Sequence, residues 1–218
     1  MRSIVSCIQI RQQGTWQFIS AALLQDKNNI HELLDDQESA LHLLTWIALH
    51  YTAHNLEPDN LDEFMEMFDE TFTSTQGVGG GRLKERALTR KRIKHVWFTG
   101  RPQLDALLLE LTELIAPRYL EPPSEATVIL HESMLKTANL SDEMSKATFP
   151  LLWQRHHFAD PGWLVSTIRR HLQDRGAWLA VDKPITHPMG KKRKKRKSAK
   201  SNLNVSQHGK RMKDMATP

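Results

Sequence analysis

Two groups of cations carry the most visible chemistry in this chain. The first is unbroken: Lys191-Lys192-Arg193-Lys194-Lys195-Arg196-Lys197. Seven adjacent charges cannot enter a packed interior, so the run meets water or a polyanion. The second is interleaved with apolar residues: Arg82, Lys84, Arg86, Arg90, Lys91, Arg92 and Lys94 fall within 13 residues, against one acid, Glu85. At about 100° per residue on a helix, Arg82, Arg86 and Arg90 form one row, with Leu83, Ala87 and Leu88 turned toward a core. Lys91 and Lys94 cover the flank, with His95 and Arg101 near the far end. Arginine forks suit phosphate oxygens and base edges, so nucleic acid is the expected ligand, DNA ahead of RNA. The competing reading is a solvated face balanced by acidic helices elsewhere.

A third set lies further on. A helix from about Pro161 to Asp174 carries Arg169 and Arg170, with Arg175 just beyond it. A shorter helix from Ser141 precedes it and a brief strand, Ala177–Val181, follows. That order is the one a winged-helix reader uses, which would turn Arg169 and Arg170 toward a groove. The alternative is two ordinary core helices. Trp97, Trp163 and Trp178 flank these basic segments and would stack on bases if exposed.

Other chemistry is poorly provided for. Gly77-Val78-Gly79-Gly80-Gly81 lacks the Lys-Ser or Lys-Thr ending of a phosphate loop and follows an acidic helix rather than a strand. A hinge in front of the basic helix is the better expectation. His50 and His54 have i,i+4 spacing, with His42 eight residues earlier, but no glutamate follows His50 as HExxH requires. Cys7 is the sole cysteine, which excludes an internal disulfide and a cysteine zinc finger. No GxSxG occurs, and Asp35-Asp36 and Asp69-Glu70 read as solvated helix faces. No enzyme, cofactor or metal is expected.

The elements that must position these groups are helices. Charge is segregated along the 218 residues: 3 basic and 12 acidic side chains in 1–78, 9 and 4 in 79–120, 7 and 8 in 121–190, 11 and 1 in 191–218. Such asymmetry describes partners rather than fold. From Ile30 to Tyr51, apolar or small residues at Leu33, Leu34, Ala40, Leu41, Leu44, Ile47 and Ala48 suggest one buried stripe. Glu32, Asp35, Asp36 and Glu38 then form an exposed acidic side. Asn60 opens a helix burying Leu61, Phe64, Met65, Phe68 and Phe72. Pro102 opens another with Leu104, Leu107, Leu108, Leu111 and Ile115 inward. Ser124 caps a helix to about Thr137, although Thr127–Leu130 would also suit a short strand.

The expectation is therefore a mostly α protein with a C-terminal winged-helix-like unit. An acidic helical region (1–76), a glycine hinge (77–81), a basic and helical region (82–183) and a disordered polybasic tail (184–218) divide it. No membrane helix or cleaved leader is expected. The location would be cytoplasmic or nucleoid-associated in a bacterium and nuclear in a eukaryote. The function expected is non-enzymatic nucleic-acid binding in a regulatory or accessory role. Its rival is an assembly subunit that docks a protein partner through the acidic N-terminal helices.

Overall fold

The computed structural model describes residues 15–26, 28–74, 77–137, 141–158 and 160–173. The Lys191–Lys197 run, Arg175, Trp178 and the expected strand Ala177–Val181 lie outside them. Among the described residues the fold is mostly helical, as the periodicity implies, with nine α-helices and one two-stranded hairpin. No helix among them is long and apolar enough to cross a membrane.

The centre is α5, Pro102–Ile115. Its leucines fall at 3,4 spacing, and Leu108, Leu111 and Ile115 are almost wholly enclosed. Pro102 suits the first turn, where its missing N–H costs nothing. Around it pack α2 (Leu33–Tyr51), α3 (Pro58–Asp69), α4 (Arg82–Thr89), α8 (Pro150–His157) and α9 (Trp163–Gln173). A single apolar cluster runs from Leu41 through Phe68, Leu88 and Leu108 to Trp153 and Trp163, so residues on both sides of the glycine segment share one core. Gln154 on α8 donates to the carbonyls of Leu114 (2.5 Å) and Ile115 (3.1 Å), satisfying two acceptors that the end of α5 leaves open. Pro150 ends α7 (Asp142–Thr148) and starts α8. Ser124 and Ser141 cap α6 (Glu125–Lys136) and α7 as their spacing implies, and no strand forms at Thr127–Leu130.

Two expectations are overturned. The glycine segment is not a hinge: Gly77–Gly79 is strand β2, paired antiparallel with β1 (Phe72–Ser74). Gly80 and Gly81 bring the backbone against its neighbours. A Cβ on Gly80 would sit 2.6 Å from the Glu70 carbonyl oxygen, and one on Gly81 would sit 2.7 Å from that of Ala21. Gly81 also has φ +88°, which suits glycine. Gly80 and Gly81 thus stand where the backbone approaches its neighbours closely, and Gly81 also where it turns left-handed.

The second reversal concerns α2. Asp35 and Glu38, expected in solvent, are fully buried, while Leu33, Leu43, Ile47 and Tyr51 are exposed. The inward stripe is Asp35, Glu38, Leu41, His42, Thr45, Ala48 and Leu49, polar in its first half and apolar in its second.

Candidate functional site

The inward carboxylates of α2 are met by groups from a turn far along the chain. Residues Ala116–Tyr119 form a 3-10 turn after α5. Arg118 there reaches Asp35 at 2.8 Å and Glu38 at 3.2 Å, and the Tyr119 hydroxyl donates to Glu38 at 2.5 Å. Ser20, the N-cap of α1 (Ala21–Gln25), donates to Asp35 at 2.6 Å, and the Ala21 N–H donates to Glu38 at 2.7 Å. His42 lies 3.2 Å from Glu38. Burial alone would raise the Glu38 carboxyl, but the bonds from His42, Tyr119 and Ala21 outweigh it and hold the group below the ordinary carboxylate value. Burial likewise pushes the His42 imidazole down, against the pull of Glu38.

Lys84 completes this interior. It was expected on the nucleic-acid-facing surface, yet it is fully enclosed and its ammonium donates to the carbonyls of Ile19 (2.7 Å) and Trp16 (3.3 Å). Burial lowers it to about 8, opposed by the charges of Glu38 and Glu70. Lys84 therefore contacts no external ligand. It sits between Leu83 and Ala87 on the inner side of α4 and ties that helix to the segment leading into α1.

The remaining cations of the cluster divide by partner. Arg82, Arg86 and Arg90 are exposed along one side of α4, the row that their spacing implies. Arg82 lies over the Phe72 ring at 4.4 Å. After Arg90, Lys91 adopts a left-handed conformation (φ 48°) and the chain tightens into a 3-10 turn, Arg92–His95. The expected basic helix thus ends at Thr89, and the second half of the cluster points elsewhere. Lys91 pairs with Glu113 at 3.1 Å and Arg92 with Glu63 at 3.2 Å. Among the described residues, Arg86, Arg90 and Lys94 have no carboxylate within ion-pair distance, and all three are exposed. Beside them Trp97 is exposed too, at 59%.

Arg169 and Arg170 lie on the outer side of α9, but Arg170 forms an ion pair with Glu110 of α5, which also accepts from His171 at 2.8 Å. Of the flanking tryptophans, Trp163 is buried, its indole N–H donating to Gln37 at 3.0 Å. His50 and His54 do not share a helix face: α2 ends at Tyr51 and His54 bridges to Phe98. No group of metal-ligating side chains occurs among the described residues.

Comparison with known proteins returns nothing that resembles this chain: no family model, no curated protein and no solved structure matches it.

The arrangement offers two features that sequence reasoning did not resolve. One is the buried charge network, which ties the segment 15–26, α2, α4 and the 3-10 turn together. The other is a cleft of about 710 Å³ whose walls come from α5, α7, α8 and α9. Neither has a local sequence signature, because each is assembled from residues far apart in the chain.

Proposed function

We propose that this chain is a non-enzymatic nucleic-acid-binding protein, DNA ahead of RNA, serving a regulatory or accessory role. The observation that carries this reading is the unpaired row on and beyond α4. Arg86, Arg90 and Lys94 stay in solvent without a carboxylate among the described residues, although residues 1–78 supply 12 acidic side chains that could have neutralised them. Arg82 extends the row by one turn, held against Phe72. Residues four apart on a helix are about 6 Å apart along its axis, so the guanidinia of Arg82, Arg86 and Arg90 can engage successive phosphates from a fixed platform, with the Lys94 ammonium beyond the helix end. Trp97 supplies an aromatic surface for an unstacked base. Lys191–Lys197 would add a second, sequence-independent contact with the same polyanion.

The test is fluorescence anisotropy with a labelled 20-base-pair DNA duplex and the RNA duplex of the same sequence, from 50 to 300 mM salt. Replacing Arg86, Arg90 and Lys94 with glutamine removes up to three phosphate contacts. The slope of log affinity against log salt should therefore fall by roughly 0.9 per contact, about 2–3 in all. Deleting residues 191–218 should lower it separately. Failure of the wild type to bind at 50 mM salt would end this reading.

One observation favours the rival. The outer side of α2 exposes Leu33, Leu43, Ile47 and Tyr51, preceded by Ile30 at 78% exposure. An adaptor docking a protein partner would use this apolar face, alongside the acids of α3. Leu43→Gln with Ile47→Gln should then abolish partner capture while leaving the anisotropy titration unchanged.

A further inference from the structure

Residues 95–99 alternate strictly between solvent and core: His95, Trp97 and Thr99 are exposed, Val96 and Phe98 buried. That is the period of an extended strand, so the three exposed side chains share one side. The stretch is fixed against residues 53–55. His54 and Phe98 form an antiparallel bridge, and the Thr99 N–H donates to the Ala53 carbonyl at 2.8 Å. Asn55 makes three further bonds. Its backbone N–H donates to the Trp97 carbonyl (3.2 Å), its side-chain carbonyl accepts from the Trp97 N–H (2.9 Å), and its side-chain amide donates to the His95 carbonyl (3.1 Å). The backbone of Trp97 is therefore held at both its N–H and its carbonyl, while the ring stands in solvent.

The other described tryptophans are all engaged. Trp16 donates its indole N–H to the Glu70 carbonyl at 3.1 Å, Trp153 to Asp142 at 2.7 Å and Trp163 to Gln37 at 3.0 Å, and Trp46 stacks on His50 at 3.8 Å. Among the described residues the Trp97 indole has neither a hydrogen-bond acceptor nor a ring against it. Its surroundings are cationic. Lys94, exposed and without a carboxylate among the described residues, lies three residues earlier, at most about 10 Å away, with Arg86 and Arg90 on α4 before it. Of the carboxylates bonded to residues 92–99, Asp105 is taken up by the Phe98 N–H at 2.8 Å and Glu63 by Arg92 at 3.2 Å. An aromatic face fixed beside free cations matches a base with its phosphates, since every base has a π-face and every link between nucleotides a negative charge.

We infer that the exposed side of residues 95–99 is a stacking platform for an unpaired base of single-stranded DNA. The inference rests on the nucleic-acid reading and narrows its ligand. In a duplex each base is already paired and stacked, which leaves only phosphates for Arg86, Arg90 and Lys94. A single strand offers the same phosphates and a free π-face besides, and Trp97 takes that face. His95, on the same side two residues earlier, offers a ring N–H to a flanking phosphate. Because Asn55 already fixes the backbone around Trp97, little ordering is left to the moment of binding.

Fluorescence anisotropy on the full-length protein tests this with two labelled single strands of equal length and charge, one of thymidine nucleotides and one of abasic deoxyribose phosphates. The wild type should bind the thymidine strand about tenfold more tightly, within the range that one stacked base supplies. Trp97→Ala should remove most of that gap, and Trp97→Phe should keep most of it. Stacking releases no counterions, so Trp97→Ala should not alter the salt slope for the thymidine strand, whereas Arg86→Gln with Arg90→Gln should lower it. The wild-type comparison of the two strands needs no variant, and circular dichroism establishes that each variant is folded. Equal wild-type binding of the two strands overturns the inference and leaves the nucleic-acid reading standing. So does a gap that Trp97→Ala leaves in place, or a Trp97→Ala loss of the same factor on both strands. Binding of neither strand nor of the 20-base-pair duplex ends both readings.

Discussion

Raising the pH should stabilise this protein well into the alkaline range, against the usual pattern in which stability peaks between about pH 5 and 8. The cause is Lys84, whose folded-state value near 8 lies below its ordinary 10.5. Below pH 8 the lysine is charged in both states, and folding carries the full cost of enclosing the ammonium. Between 8 and 10.5 the unfolded chain holds its proton while the folded chain releases it, so the unfolded state binds more protons and stability rises with pH. A separation of that size corresponds to roughly 3 kcal/mol, most of it recovered between pH 7 and pH 10. The rise has a ceiling. Burial and the neighbouring Glu38 push the Tyr119 phenol well above its ordinary 10, so the unfolded chain loses that proton first and stability falls beyond about pH 10. Urea titrations followed by circular dichroism at pH 7, 8, 9 and 10 measure the profile. Lys84→Met should remove the rise, with a lower stability at pH 10 because the carbonyls of Trp16 and Ile19 lose their donor. A wild-type profile that is flat or falling between pH 8 and 10 would refute the account.

Two further perturbations address the same interior. Arg118→Met leaves Asp35 and Glu38 enclosed without the cation that bridges them, which should cost about 3–5 kcal/mol in urea unfolding; adding Asp35→Asn should recover part of that loss. Gly81→Ala forces a side chain into a left-handed turn and against the Ala21 carbonyl, and should lower the melting midpoint by several degrees, whereas Gly100→Ala, with open space at its Cβ, should cost less.

How far the fold could be read from the chain depends on where each element's partners lie. Helix α5 is legible because Leu104, Leu107, Leu108, Leu111 and Ile115 mark a single stripe and Pro102 marks its start. In α3 the same holds for Leu61, Phe64, Met65 and Phe68, although Phe72 falls in the hairpin. Helix α2 defeats this reasoning. Apolar residues lie on both of its sides, and the choice between them is made by Arg118 and Tyr119, some 80 residues later. Once those groups satisfy Asp35 and Glu38, the carboxylates can face inward and the apolar side is left outside. Lys84 was misplaced for a related reason: charge suggests solvent, and nothing nearby reveals that two backbone carbonyls await its ammonium. On the candidate surface, the row Arg82, Arg86 and Arg90 was legible from helical spacing. The pairing of Lys91 and Arg92 was not, since it depends on a left-handed residue that redirects the chain.

The long sequence separations inside the charge network also set an order of events during synthesis. Glu38 and Arg118 are 80 residues apart, and Gln37 and Trp163 are 126 apart. At about 5–20 residues per second, a ribosome takes on the order of 4–16 s to make Arg118 after Glu38. For that interval the acidic stripe of α2 has no cation to receive it and stays hydrated, and the apolar surface around Leu41 and Leu49 waits with it. The native partners of Asp35 and Glu38 at Arg118 and Tyr119 thus become available only after α5 has been made.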